Sequence, residues 1–310
     1  MDDLRDPRKT FGEALVDAAE KNQNIVALSA DSSSGSGMTA FHERFPERHI
    51  EFGIMEQGII GFSAGLATTG KIPFVVAIAP FVTARPFEMF RNDLGYMRQN
   101  VKVVGRCAGL TYSDLGATHQ SLDDIAIIRT IPGVTVLNPG DPVDIVKAVH
   151  AAAAHVGPVY IKIGSPKMPV LMDENYPFQI GKGVVMQQGS DVTIIGTGTV
   201  LSKAVEATRI LKEKGVQARL INMHTIKPLD RELILKAARE TGKIVTVEEG
   251  YLAGGMGSCI AELIVAEHPV PMKIIGIDDL FCDTGPYEEL LAMYGLQGDK
   301  IAQTVEEFLV

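Results

Sequence analysis

The chain has 310 residues, of which 46% are hydrophobic and 22% charged, proportions that suit a folded protein and exclude a disordered one. Lys and Arg number 29 against 38 Asp and Glu, a formal net charge of −9, and the cations form no stripe, which excludes a nucleic-acid surface. The longest apolar stretch, 72–82, holds two prolines and is too short for a membrane helix, while the opening MDDLRDPRKT lacks the apolar core of a secretory signal.

From the N-terminus, helix-spaced apolar residues at 11–21 precede a β-branched run at 25–29. A helix at 57–69, a strand at 73–77, a helix at 86–97 and a strand at 101–105 follow. Then come a helix at 122–130, a strand at 134–137, a helix at 143–155 and a strand at 159–163. This alternation predicts a parallel sheet with helices on both faces. Residues 165–182 break the rhythm with three prolines and Asp173-Glu174-Asn175. A second unit starts with a strand at 192–195 and a helix at 200–214, whose Leu201, Val205, Thr208 and Leu211 share a face. Strands at 216–221, 244–248 and 273–277 and a helix at 258–267 complete it. The predicted fold class is α/β: two doubly wound, mainly parallel-sheet domains, 1–165 and 186–310, joined by a Pro-rich linker at 166–185.

Cys107, Cys259 and Cys282 are odd in number and far apart, with no CxxC, a pattern of reduced thiols rather than disulfides or a zinc site. With the missing signal and membrane segments, they point to a soluble cytoplasmic protein. Gly196-Thr197-Gly198 joins a strand to a helix but lacks the third glycine of a dinucleotide fingerprint, and Gly254-Gly255-Met256-Gly257 reads as a backbone turn. GxxxxGK[ST] and HExxH are absent, so nucleotide hydrolysis and zinc peptidase chemistry have no support.

Three polar islands remain. In EFGIMEQGIIGFSAGLATTG (51–70), Glu56 opens a run that is otherwise apolar or small. A charge beside such a helix is costly unless something holds it, although the helix macrodipole also favours a carboxylate in a first turn. The second island is Gly116-Ala117-Thr118-His119-Gln120. The third, from Ala79 to Arg85, carries Phe81 at the end of a predicted strand. Singly, Phe81 reads as core, His119 as a capping or surface imidazole and Arg85 as a surface cation. Together they put a carboxylate, an aromatic plane and an imidazole at the carboxyl edge of one sheet, where ligands of open parallel sheets bind.

FGIMEQGIIGFSAGLA resembles the Glu-bearing segment of transketolases, and DLGATHQSLDDIAIIRTIPGVTVLNPGD resembles their THQ segment. EQGIxGF is shared with β-subunits of 2-oxoacid dehydrogenases, but the GATHQ loop followed by DDIAIIRTIPG favours transketolase. The resemblance runs from Arg8 to the C-terminal helix and covers the family's pyrimidine-binding and C-terminal domains. It implies thiamine diphosphate as cofactor. Glu56 would hydrogen-bond the aminopyrimidine nitrogen and Phe81 would stack on that ring, with Ile54, Ile78, Arg85 and Asp31 completing the pocket. His119 would act near the reacting atoms. Arg8, His119, Asp114 and Ser165 would meet the sugar substrate.

The family's GDG motif, which holds the diphosphate and Mg²⁺, is absent: this chain has Gly140-Asp141-Pro142 and Gly298-Asp299-Lys300. No metal ligand is therefore expected here. The resemblance is to the C-terminal half of a split enzyme, whose N-terminal partner subunit would carry the diphosphate and Mg²⁺ site, two copies of each chain assembling together. Cys107, Leu115 and Ser165 stand where the family has a histidine, a hydroxyl-binding aspartate and a phosphate-binding arginine. Ile78 stands where it has an aromatic. These departures imply ketol transfer on an unusual sugar. Alternatives are a deoxyxylulose-phosphate-synthase-like or 2-oxoacid-decarboxylating subunit, or a non-catalytic regulatory subunit.

Overall fold

A computed structural model describes residues 3–33 and 35–310. Seven strands form the first sheet, in the spatial order Thr225–Lys227, Thr135–Leu137, Val159–Lys162, Lys102–Arg106, Ile72–Ile78, Ile25–Ser29 and His49–Glu51. Every neighbouring pair is parallel except the first. Ile25–Ser29, Lys102–Arg106 and Val159–Lys162 are buried at every position, as strands covered by helices on both faces must be. Burial extends to Lys102, whose ammonium is satisfied by Asn100 Oδ1 at 2.6 Å and by the carbonyls of His155 and Gly157 at 2.7 Å each.

The covering helices start where local chemistry directs. Pro7–Lys21 and Pro142–Ala154 each have proline in the first turn and an aspartate cap, Asp6 accepting from the Arg8 N–H and Asp141 from the Asp144 N–H. The helix predicted at 86–97 forms differently: Phe87–Met89 runs into a π-helix, Phe90–Tyr96. Close packing constrains this wider turn, since a Cβ on Gly95 would lie 2.4 Å from Ile131 Cγ2.

The second sheet has five strands, in the order Met272–Ile277, Ile244–Tyr251, Val192–Gly196, Ala218–Asn222 and Val184–Gln187, the last antiparallel to its neighbour. The two halves are fused more closely than a linker alone implies. Thr225–Lys227, from the second half, closes the edge of the first sheet, and Lys227 Nζ donates to the carbonyls of Arg129 and Ile131. One apolar core runs from Ile59 and Phe90 through Ile131 and Val136 to Ile226, Ile234 and Met256. The Pro-rich stretch is itself pinned: Met168–Pro169 pairs with Leu4–Arg5, and the Asp141 carboxylate accepts the N–H groups of Leu171 and Met172 at 2.8 Å. Among the described residues no helix is long and apolar enough to cross a membrane.

Candidate active site

Glu56 begins the helix Glu56–Ala67 and is 6% exposed. Gly58 permits that start, because the Met55 side chain lies over it and a Cβ there would come 2.3 Å from Met55 Cε. The carboxylate meets Arg85, Nη1 lying 2.9 Å from Oε2. Arg85 arrives from the end of the strand Ile72–Ile78, where Ala79–Val82 makes one tight turn and Thr83 Oγ1 donates back to the Ala79 carbonyl. Gln57 Nε2 donates to the Arg85 carbonyl at 3.1 Å and fastens this turn to the helix.

The Arg85 guanidinium lies 4.1 Å from the centroid of the Phe81 ring. The Phe81 ring meets the His119 imidazole edge to face at 5.1 Å, and the imidazole meets Tyr112 in the same way at 5.4 Å. Glu56, Arg85, Phe81, His119 and Tyr112 therefore form one continuous chain of contacts at the carboxyl edge of the first sheet. A groove lined by Pro80, Ala117, Gln120, Tyr251 and Phe281 opens beside them.

His119 is placed by a loop that Gly109 and Ser121 close, each donating its N–H to the other's carbonyl. Gly116, at φ +71°, turns the chain so that its carbonyl accepts the N–H groups of His119 and Gln120. Thr118 Oγ1 lies 2.9 Å from His119 Nδ1. The second domain braces this loop: Gln120 Nε2 donates to the Asp283 carbonyl, and Glu249 Oε1 accepts the Leu110 N–H at 2.5 Å. Beneath it, Lys162 Nζ binds Asp124 Oδ1 at 2.7 Å and donates to the carbonyls of Ser121 and Glu249, while Tyr160 donates to Asp124 Oδ2. Burial pushes the Glu249 carboxyl up to about 7, Lys162 pulling the other way.

The remaining expected residues fall into two further groups. Asp31, at φ +50°, gives its N–H to Glu51 Oε1, which also takes the Gly53 N–H, so Glu51 ties the Asp31 turn to the segment before Ile54. Ile54 is 76% exposed and Ile78 half-buried at the end of its strand. Arg8 is partly exposed and paired with Asp6 through both Nε and Nη2. Ser165 Oγ donates to Cys107 Sγ at 3.0 Å, one residue beyond the buried Arg106. Asp114 is exposed, next to Leu115. The contact chain does not reach Arg8, Asp31, Asp114 or Ser165. Sequence reading missed Tyr112, Glu51, Arg106 and Glu249. Only Tyr112, an aromatic in an otherwise small and polar loop, carried a visible signal.

A buried carboxylate, an aromatic face and an imidazole suit a planar heteroaromatic ring with a nitrogen to hydrogen-bond. The same chain offers little to a diphosphate and its cation. The Asp141 carboxylate is consumed by the N–H groups of Asp144, Leu171 and Met172, and Asp299 sits in the first turn of the helix Gly298–Leu309. Among the described residues no group of three or more His, Cys, Asp or Glu side chains is placed to hold a metal ion.

Comparison with known proteins identifies the family. Family models described as the transketolase pyrimidine-binding domain and the transketolase C-terminal domain match residues 5–168 and 181–301. One of the subunits of the apulose-4-phosphate transketolase of Phocaeicola vulgatus is 41% identical over 303 residues, covering 97% of each chain. The 6-deoxy-6-sulfo-D-fructose transketolase subunit of Clostridium sp. (strain MSTE9) is 37% identical, covering 97% of this chain and 93% of its own. A solved split-gene transketolase, described as an inactive β4 tetramer, superposes with a TM-score of 0.92 at 38% identity over 98% of both chains. The chain belongs to the transketolase family of thiamine-diphosphate-dependent transferases, of which it carries the pyrimidine-binding and C-terminal domains.

Proposed function

We propose that this chain is the C-terminal subunit of a two-chain transketolase that moves a two-carbon ketol unit from a ketose donor to an aldose acceptor. The observation that carries the reading is the contact chain from buried Glu56 through Arg85 and Phe81 to His119. Bound thiamine diphosphate supplies the carbanion chemistry at the donor carbonyl. Glu56 shares a proton with the pyrimidine nitrogen of that cofactor, a role that needs a carboxyl shielded from water, as this one is. Phe81 supports the ring, with Ile54, Ile78 and Asp31 bounding the pocket, and Arg85 orients the Glu56 carboxylate. Since His119 Nδ1 is engaged by Thr118, Nε2 is the nitrogen that acts on the substrate oxygens, donating where negative charge develops. Arg8, Asp114 and Ser165 bind the rest of the sugar.

Diphosphate and Mg²⁺ belong to an N-terminal partner subunit in this reading, and two copies of each chain assemble. Support comes from the engaged Asp141 carboxylate and from the relative described as inactive when it forms a β4 tetramer. The named substrates of the relatives, apulose-4-phosphate and 6-deoxy-6-sulfo-D-fructose, support a non-standard ketose ending in a tetrahedral oxyanion. Leu115 in place of a hydroxyl-binding aspartate points the same way, because buried polar contacts are what discriminate hydroxyls.

Replacement tests the role of Glu56. In the assembled enzyme, Glu56→Gln and Glu56→Ala should lower kcat by roughly 100-fold or more, as expected for lost proton transfer, with the fold intact by circular dichroism. Near-normal turnover in both variants would remove the proposal. Release of CO₂ from pyruvate in place of ketol transfer would favour the decarboxylating alternative.

A further inference from the structure

Arg106 ends the strand Lys102–Arg106, at the edge of the sheet where Phe81 and His119 also stand, and its side chain is fully buried. Nη2 donates to the Gly35 carbonyl at 3.0 Å and lies 3.9 Å from Cys107 Sγ. Nε and Nη1 have no hydrogen-bond partner among the described residues, and no carboxylate pairs with the guanidinium there. Three other cations withdrawn from water have their donors placed: buried Lys162 has Asp124, half-buried Arg129 has Glu262, and Lys102, though without a counter-charge, gives its ammonium to three oxygens. A guanidinium withdrawn from water without a counter-charge is costly, and the cost is relieved when an anion arrives.

The surroundings also suit an anion. Asp6 and Arg8 lie near enough to bias the Arg106 charge, and Asp6 is already neutralised by Arg8 through two hydrogen bonds. The segment 35–37 packs against the first turn of the Arg8 helix, where a Cβ on Gly37 would come 2.1 Å from the Arg8 carbonyl oxygen. Cys107, held at φ +54°, turns the chain beside Arg106 and brings its thiol to the Ser165 hydroxyl. The other cations near Ser165 are engaged elsewhere: Lys162 binds Asp124, while exposed Lys167 lines a separate groove with Pro166 and Glu288.

We infer that Arg106 is a specificity-determining residue that binds the terminal tetrahedral oxyanion of the sugar substrate, a phosphate or a sulfonate, with Arg8 and Ser165 beside it. The inference rests on the ketol-transfer reading for its substrate, but the anion site itself can be tested without turnover. On binding, the anion takes up the unpartnered Nε and Nη1 donors of the guanidinium in charge-assisted hydrogen bonds.

The test uses the assembled enzyme, with Arg106→Met, which keeps the volume but removes the charge, and Arg106→Lys, which keeps the charge. Inorganic phosphate and methanesulfonate are titrated calorimetrically, and kcat and KM are measured for a ketose phosphate and for the same ketose without phosphate. Arg106→Met should weaken anion binding by roughly 10- to 100-fold and raise KM for the phosphorylated donor by a similar factor. The unphosphorylated donor should lose far less, and Arg106→Lys should recover part of the binding. Tighter binding of phosphate than of methanesulfonate would assign a phosphate ester, and the reverse a sulfonate.

Unchanged anion affinity in Arg106→Met, no anion binding by the unaltered enzyme, or equal losses on both donors would overturn the assignment. If Arg106→Met does not fold, Arg106→Lys decides, because a bidentate site must lose affinity on losing the fork. Absent ketol transfer in the unaltered enzyme would defeat the functional reading while leaving the phosphate titration to decide Arg106.

Discussion

Arg85 sits between Glu56 and Phe81, yet its side chain is 42% exposed. Water screens the Arg85 end of this ion pair, whereas the Glu56 end is only 7% exposed, so Arg85 both neutralises and aims that carboxylate. Arg85→Ala leaves that carboxylate without its cation and should lower kcat roughly tenfold, about the worth of one charge-assisted contact, with a small loss of melting temperature in the assembled enzyme. A large loss of melting temperature with activity retained would assign Arg85 to the fold instead. Glu56, Phe81 and His119 stood out only in combination, a carboxylate before an apolar helix, an aromatic after a strand and an imidazole in a small-residue loop, and the structure joins them through Arg85. Arg106 did not stand out. A strand-ending arginine looks like a solvent cation until the sheet closes over it and two of its nitrogens are left without partners.

At the scale of elements, the loop that carries His119 is held from below by a strand of the other domain. Glu249, on the strand Ile244–Tyr251, accepts from the Leu110 N–H and from the Tyr287 hydroxyl at 3.0 Å. Gly109 is required there: its φ is +67°, and a Cβ would lie 2.5 Å from Glu249 Oε1. With burial raising its pKa from 4.5 to about 7, the folded protein keeps a proton that the unfolded chain has already released. Stability from this group is therefore present below pH 4.5 and is lost as pH rises to about 7. Glu249→Gln removes that dependence. Urea midpoints measured across this window should show the unaltered protein losing on the order of 1–3 kcal/mol relative to the variant. Parallel curves would contradict it.

The alternation of β-branched runs and amphipathic stretches made the central strands readable to within a residue or two, except that Ile244–Tyr251 runs three residues past the expected end at 248. Short edge strands such as His49–Glu51 and Thr225–Lys227 were not, since three residues carry no period and their pairing is set by distant partners. The helix expected at 86–97 is a π-helix over Phe90–Tyr96, with Gly95 packed so closely on Ile131 that a Cβ would not fit, a tertiary contact that local propensity does not encode.

Across the whole molecule, the edge strand Thr225–Lys227 and the shared apolar core make the two domains one unit. The second domain then acts on the site through the loop it braces. What this unit offers a cofactor is one-sided: a carboxylate, a ring and an imidazole for the heteroaromatic end, and no free aspartate at Gly140-Asp141-Pro142 for the charged end. In the proposed reading this chain holds half of a site, and a second subunit completes it. The decisive experiment is a titration of thiamine diphosphate with Mg²⁺, on the chain alone and after addition of a diphosphate-binding partner. No tight binding and no ketol transfer are expected of the chain alone, and both are expected of the two-plus-two complex. Tight, Mg²⁺-dependent binding by the isolated chain would contradict the half-site.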